Sequence, residues 1–118
     1  MTIILYHNPK CSTSRRTLAL LESHGIHPTV VEYLTTPPNK AQLKKILHAL
    51  GLEPRDLMRK KEAEYKTARL DDPSLTRDAL IAAMVANPRL IERPIVVNGE
   101  RAALGRPPEN VLRILKHE

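Results

Sequence analysis

Ile3, Ile4, Leu5 and Tyr6 form a short unbroken apolar run, and the next apolar cluster, Leu18, Leu20 and Leu21, recurs at helical spacing. The pattern predicts a buried strand over about Thr2–His7 and a helix over about Ser12–Ser23, ended by Gly25. Pro28–Tyr33, with Val30, Val31 and Tyr33, reads as a second strand; strand, helix, strand implies a parallel pair joined by a crossover. Beyond the rigid connector Leu34-Thr35-Thr36-Pro37-Pro38, Asn39 and Gln42 have capping-box spacing. Leu43, Ile46, Leu47 and Leu50 then line one face of a helix that Gly51 stops. Pro54 opens a short helix, Arg55–Arg59, leading into the charged stretch Lys60, Lys61, Glu62 and Glu64, which Tyr65 anchors. Thr76 caps another helix with Leu80, Ile81, Met84 and Val85 on its apolar side, and Asn87-Pro88 ends it.

The clearest hairpin is Ile95-Val96-Val97, a turn at Asn98-Gly99, and Glu100–Leu104. Gly105-Arg106-Pro107-Pro108-Glu109 turns into a last helix carrying Val111, Leu112 and Leu115. A parallel pair followed by an antiparallel hairpin gives an α/β chain with a small four-stranded mixed sheet and flanking helices. The helices between the second and third strands form an insertion. With no internal repeat, low-complexity segment or dividing linker, residues 1–118 read as a single domain.

Composition narrows the picture. Phe and Trp are absent, so the core must come from Leu, Ile, Val, Ala and Met. No apolar run nears the ~20 residues of a membrane helix, and no export signal is visible, so a cytoplasmic protein without membrane contact is expected. A formal charge of +6 invites an anionic partner. Three tyrosines and no zinc-finger spacing argue against a nucleic-acid reader. His24, His27, His48 and His117 read as surface or boundary residues, and with His7 they make no metal-ligand spacing, so no metal site is expected. Nothing demands a partner subunit, and monomer is the default.

The single cysteine excludes an internal disulfide framework and fits a free thiol in a reducing compartment. It lies in His7-Asn8-Pro9-Lys10-Cys11-Ser12-Thr13-Ser14-Arg15, between the first strand and first helix. Pro9 argues for a turn, and Cys11 then falls at the start of the helix, where free N–H groups and the peptide dipoles favour an anion. There a thiol pKa falls, and the same N–H groups can accept an oxyanion. His7 is placed to hydrogen-bond the loop, Asn8 to pin it, and Ser12, Thr13 and Ser14 to help cap the helix and bind an anion. Arg15 follows one helical turn after Cys11.

Arg93-Pro94 precedes the third strand, where proline suits the first position. Arg106 holds the matching place after the fourth. A hairpin returns to the end it left, so both arginines share one end of the sheet. If the hairpin runs antiparallel to the first strand, that end also carries Cys11. Arg59, after the short helix, is placed to cover the site. Guanidinium groups around a thiolate lower its pKa and bind a tetrahedral oxyanion in a fork that lysine cannot reproduce.

Together Cys11, Arg59, Arg93 and Arg106 resemble the glutaredoxin-linked arsenate reductase family, most of all its small bacterial branch. The likeness runs over nearly the whole chain: Tyr6-His7-Asn8-Pro9, Tyr33-Leu34 with Thr36-Pro37-Pro38, Leu57-Met58-Arg59-Lys60, Glu92-Arg93-Pro94-Ile95-Val96-Val97, and Arg106-Pro107. It implies a thioredoxin-like fold, Cys11 as the nucleophile toward arsenate, and Arg59, Arg93 and Arg106 around the oxyanion. It further implies His7 near the thiol, a cis bond before Pro94, no bound cofactor, glutathione as co-substrate and glutaredoxin as partner. Two features depart from the pattern: Ser12 stands where longer relatives carry glycine, and Ser14 where a Cys-x-x-Cys pair would have its second thiol. Another oxyanion, another glutathione-dependent thiol oxidation or reduction, or a non-enzymatic regulatory binding role through Lys60 and Lys61 stays open on the residues alone.

Overall fold

A computed structural model describes residues 2–115; His117 lies outside them. Two compact units emerge, one built from the residues up to Thr36 together with those from Arg93 onward, the other from Pro37–Glu92.

The first unit contains β1 (Ile3–His7), α1 (Ser12–Ser23), β2 (Thr29–Glu32), β3 (Ile95–Asn98) and β4 (Arg101–Leu104). The sheet order is β2-β1-β3-β4. β1 pairs parallel with β2, with Leu5 beside Val30, and antiparallel with β3, with Tyr6 beside Ile95. Antiparallel pairing puts the start of β3 and the end of β4 beside the end of β1, the shared end that the spacing predicts. The core is Leu5, Leu21, Val96, Ala103, Val111 and Ile114, with Leu18, Leu20 and Ile26 against it. The glycine after α1 lies in the left-handed region (φ 74°), so its N–H and that of Ile26 return to the carbonyls of Glu22 and Leu21.

Two expectations shift. Asn98 pairs with Arg101, so the hairpin turn is Gly99-Glu100 and Asn98 ends β3. Glycine first, at φ 64°, suits a two-residue loop matched to strand twist, and Asn98 is instead buried, donating to the Ile114 carbonyl at 2.7 Å. The last helix is a 3₁₀ helix, Pro108–Ile114. At three residues per turn Val111 and Ile114 stack on one side and enter the core, with Leu115 packed against it, so Ile114 takes the core place assigned to Leu112.

The second unit holds α2 (Lys40–Leu50), α3 (Ala63–Thr67) and α4 (Arg77–Ala86). Asn39 and Gln42 exchange side-chain and backbone hydrogen bonds at the start of α2. Leu43, Ile46 and Leu47 of α2 and Leu80, Ile81 and Met84 of α4 are buried, and the two helices pack on each other. The predicted helix Arg55–Arg59 is a 3₁₀ turn, Pro54–Leu57, because Met58 leaves it to bridge Ile91. The charged stretch holds the short α3, which the apolar pattern does not reveal because none of its residues is buried. No helix among the described residues is long and apolar enough to cross a membrane.

Candidate active site

Cys11 is itself the N-cap of α1, with extended backbone (φ −94°, ψ 123°), and no side chain caps the helix. Its N–H donates to the Asn8 carbonyl and its carbonyl accepts the Arg15 N–H, both at 3.0 Å. Asn8 Oδ1 accepts the Lys10 N–H at 3.0 Å, and Arg15 Nη1 donates to the Pro9 carbonyl at 2.8 Å. The loop is therefore closed from both sides, with a half-buried thiol at the mouth of the helix.

Ser14 departs from its expected part. Its side chain is fully buried, its Oγ accepts the Asn8 N–H at 3.0 Å, and His7 Nδ1 lies 2.6 Å away in a second hydrogen bond. The third helical residue faces inward, so the hydroxyl is committed to the strand end and only the Ser14 N–H turns to the sulfur. His7 is buried too, which pushes its pKa down; Glu32 beside it acts upward and Arg15 downward. Ser12 is exposed and Thr13 half-buried.

Arg93 and Arg106 meet the thiol from the far end of the chain. Arg106 Nη2 lies 3.8 Å from Cys11 Sγ, while its Nε donates to the Arg93 carbonyl at 2.7 Å. Nε and Nη1 of Arg93 are buried, so its charge acts through less water. Pro94 is buried, and the bonds before Pro94 and Pro107 are both cis; the second has no counterpart in the sequence reading. Burial alone would raise the Cys11 pKa, but the Ser14 N–H, the Arg93 charge, the Thr13 N–H and the Arg106 charge outweigh it. The thiol is thus held below the ordinary cysteine range.

This thiolate stabilises the fold fully above the unfolded thiol's pKa, and the gain is lost as pH falls through the folded value. Iodoacetamide alkylation of Cys11 is accordingly expected to reach half its maximal rate at a lower pH in the native protein than in the urea-unfolded chain. Coincident profiles would show that the fold does not acidify the thiol.

Arg59 belongs to the second unit. Its segment is fixed by the Arg59 N–H to the Leu90 carbonyl at 2.7 Å and the Glu92 N–H to the Leu57 carbonyl at 2.8 Å. Its guanidinium lies 3.4 Å from Glu62 and 3.9 Å from Glu92. His24, His27 and His48 are exposed, and no group of three metal-binding side chains occurs among the described residues.

Sequence reasoning passed over Gly105, read only as a turn residue. Its N–H donates to the Pro94 carbonyl at 2.9 Å, and a Cβ there would lie 2.5 Å from Thr17 Oγ1 and 2.7 Å from Pro94 Cγ. It marks where the β4 end touches both α1 and the Pro94 loop. Asn110, whose Nδ2 donates to the Arg106 carbonyl at 2.9 Å, carried no signal at all.

A four-stranded mixed sheet, with one thiol at the N-terminus of its first helix and two arginines from its hairpin ends, defines a thioredoxin-like domain. The ArsC family model matches residues 6–114, and the chain belongs to the ArsC family. A protein of Escherichia coli called "Uncharacterized protein YfgD" is 54% identical over 112 residues, covering 94% of each chain. A protein of Neisseria meningitidis named arsenate reductase is 49% identical over 114 residues, covering 96% of this chain and 97% of its own. The solved structure titled arsenate reductase from Vibrio cholerae matches with a TM-score of 0.94 at 56% identity, covering 98% of each chain.

Proposed function

We propose that this protein reduces arsenate to arsenite with glutathione and glutaredoxin as electron donors. The observation that carries the reading is the chain's only cysteine at a helix N-cap, under two N–H groups and beside Arg93 and Arg106, in a member of the ArsC family. The Cys11 thiolate attacks arsenic(V) and hydroxide leaves as water, giving a covalent sulfur–arsenic adduct. Arg59, Arg93 and Arg106, with the loop N–H groups, hold the negative oxygens as they rearrange. Glutathione displaces a second oxygen. A glutaredoxin thiol then attacks the glutathione sulfur, forming a mixed disulfide, and the electron pair of the arsenic–glutathione bond falls to arsenic, now arsenic(III). Water releases arsenite and returns the Cys11 thiolate. The second and third thiols come from outside because this chain has none to give.

In this reading the protein is a cytoplasmic monomer with no bound cofactor, and Ser14 stands where a dithiol enzyme would keep its resolving cysteine. Arsenate incubated with the purified protein, glutathione and glutaredoxin is expected to yield arsenite, with omission of any one component stopping it. A glutathione adduct on Cys11 without arsenite would point instead to a different glutathione-dependent reaction at the same thiol.

A further inference from the structure

Arg106 reaches the thiol from the turn that follows β4. Its side chain is exposed, and both the residue and the following Pro107 lie outside regular structure. Asn110 grips the main chain there: its Nδ2 donates to the Arg106 carbonyl at 2.9 Å, while its N–H donates to the Pro107 carbonyl at 3.0 Å. Only the amide nitrogen can donate to a carbonyl, so the contact fixes which way the Asn110 amide faces. Asn110 stands on firm ground. Its 3₁₀ helix buries Val111 and Ile114 in the core, and Asn98 and Arg101 donate to the Ile114 and Arg113 carbonyls.

We propose that Asn110 is a positioning residue for Arg106, clamping its carbonyl so that the guanidinium reaches both the Arg93 carbonyl and Cys11 Sγ. Asn110 carries no charge of its own to act on the thiol, and a double variant with Arg106 shows whether its effect passes through that residue. That gives the idea a sharp test, in which Cys11 acidity is read from the pH profile of iodoacetamide alkylation and needs no arsenate. The proposal rests on Arg106 acting at the thiol, and the same experiment separates the two.

Asn110→Ala is expected to raise the thiol pKa by a fraction of the rise caused by Arg106→Gln, and to lower kcat/KM for arsenate about threefold. In the Arg106→Gln background, adding Asn110→Ala should change neither quantity, because the clamp then holds nothing that touches sulfur. Asn110→Leu, close to asparagine in shape but without the donor, should reproduce both results and guards against an effect of the alanine cavity. A thiol pKa that moves with Arg106→Gln but not with Asn110→Ala overturns the clamp alone, as does a full additive effect in the double variant. A thiol pKa indifferent to Arg106→Gln overturns both the clamp and the role of Arg106.

Discussion

Replacing Cys11 by serine is expected to bring arsenite formation down to background, a loss of at least about 10³-fold. Serine is close to cysteine in size and can keep the N-cap position, the Asn8 and Arg15 backbone bonds, and the two N–H groups that face the sulfur. What it loses is the nucleophile. The Ser14 N–H, Arg93, the Thr13 N–H and Arg106 lower the thiol pKa and so favour the thiolate, whereas a hydroxyl in the same field stays protonated. An arsenate ester of serine would also lack the soft sulfur–arsenic bond through which electrons reach arsenic. Thermal unfolding at a pH below the folded thiol pKa should be nearly unchanged, which separates lost chemistry from lost fold. Arsenite formation surviving in this variant would mean that sulfur of this chain is not the attacking atom.

Gly105→Ala is expected to be the most damaging small substitution outside the thiol. The new methyl would sit 2.5 Å from Thr17 Oγ1 and 2.7 Å from Pro94 Cγ, both closer than such atoms pack, and a tight 3.1 Å from Thr17 Cγ2. Neither neighbour can step aside freely. Thr17 is fully buried with its hydroxyl donating to the Thr13 carbonyl at 2.9 Å, and the Pro94 carbonyl accepts the Gly105 N–H. Overpacking of this kind costs about 1–3 kcal/mol, which calorimetry would read as a fall in Tm of roughly 5 °C or more. The activity loss should be larger than stability alone explains, because the strain falls between Arg106 on one side and Pro94, next to Arg93, on the other. Displacing either guanidinium by about an ångström should lower kcat/KM roughly 10- to 100-fold. An unchanged Tm would show that Thr17 and the Pro94 loop yield more easily than their packing indicates.

The elements with a strong local signal were legible in the residues. The helices Ser12–Ser23 and Lys40–Leu50 follow directly from apolar spacing, the second with Asn39 and Gly51 at its ends, and so does the strand-helix-strand unit at the start of the chain. Features set by packing were not. Asn-Gly is a strong turn signal, yet Asn98 is drawn into β3 by the Ile114 carbonyl, and the turn moves on by one residue. The last helix tightens to 3₁₀ because Val111 and Ile114 must both reach the core. Spacing brings Arg93 and Arg106 to one sheet end, and the antiparallel pairing of β3 with β1 makes that the end that carries Cys11. It says nothing of Ser14 turning its hydroxyl inward, of Gly105 filling the only space between Thr17 and Pro94, or of Asn110 holding Arg106. Those are contacts between distant positions of small or neutral residues, which leave no period and no charge pattern to read.

The thiol and its guanidinium partners stand 82 and 95 positions apart, and β1 waits for β3 to complete its antiparallel side. On a translating ribosome Cys11 therefore emerges early into a chain that lacks Arg93, Arg106 and the strand beside it, and the whole of Pro37–Glu92 is made in between. The Ser14 and Thr13 N–H groups that acidify the thiol lie close to it in sequence, whereas the two guanidinium charges are added last. Until the hairpin closes, a nascent chain therefore lacks the two charges from Arg93 and Arg106 that favour the thiolate in the folded protein.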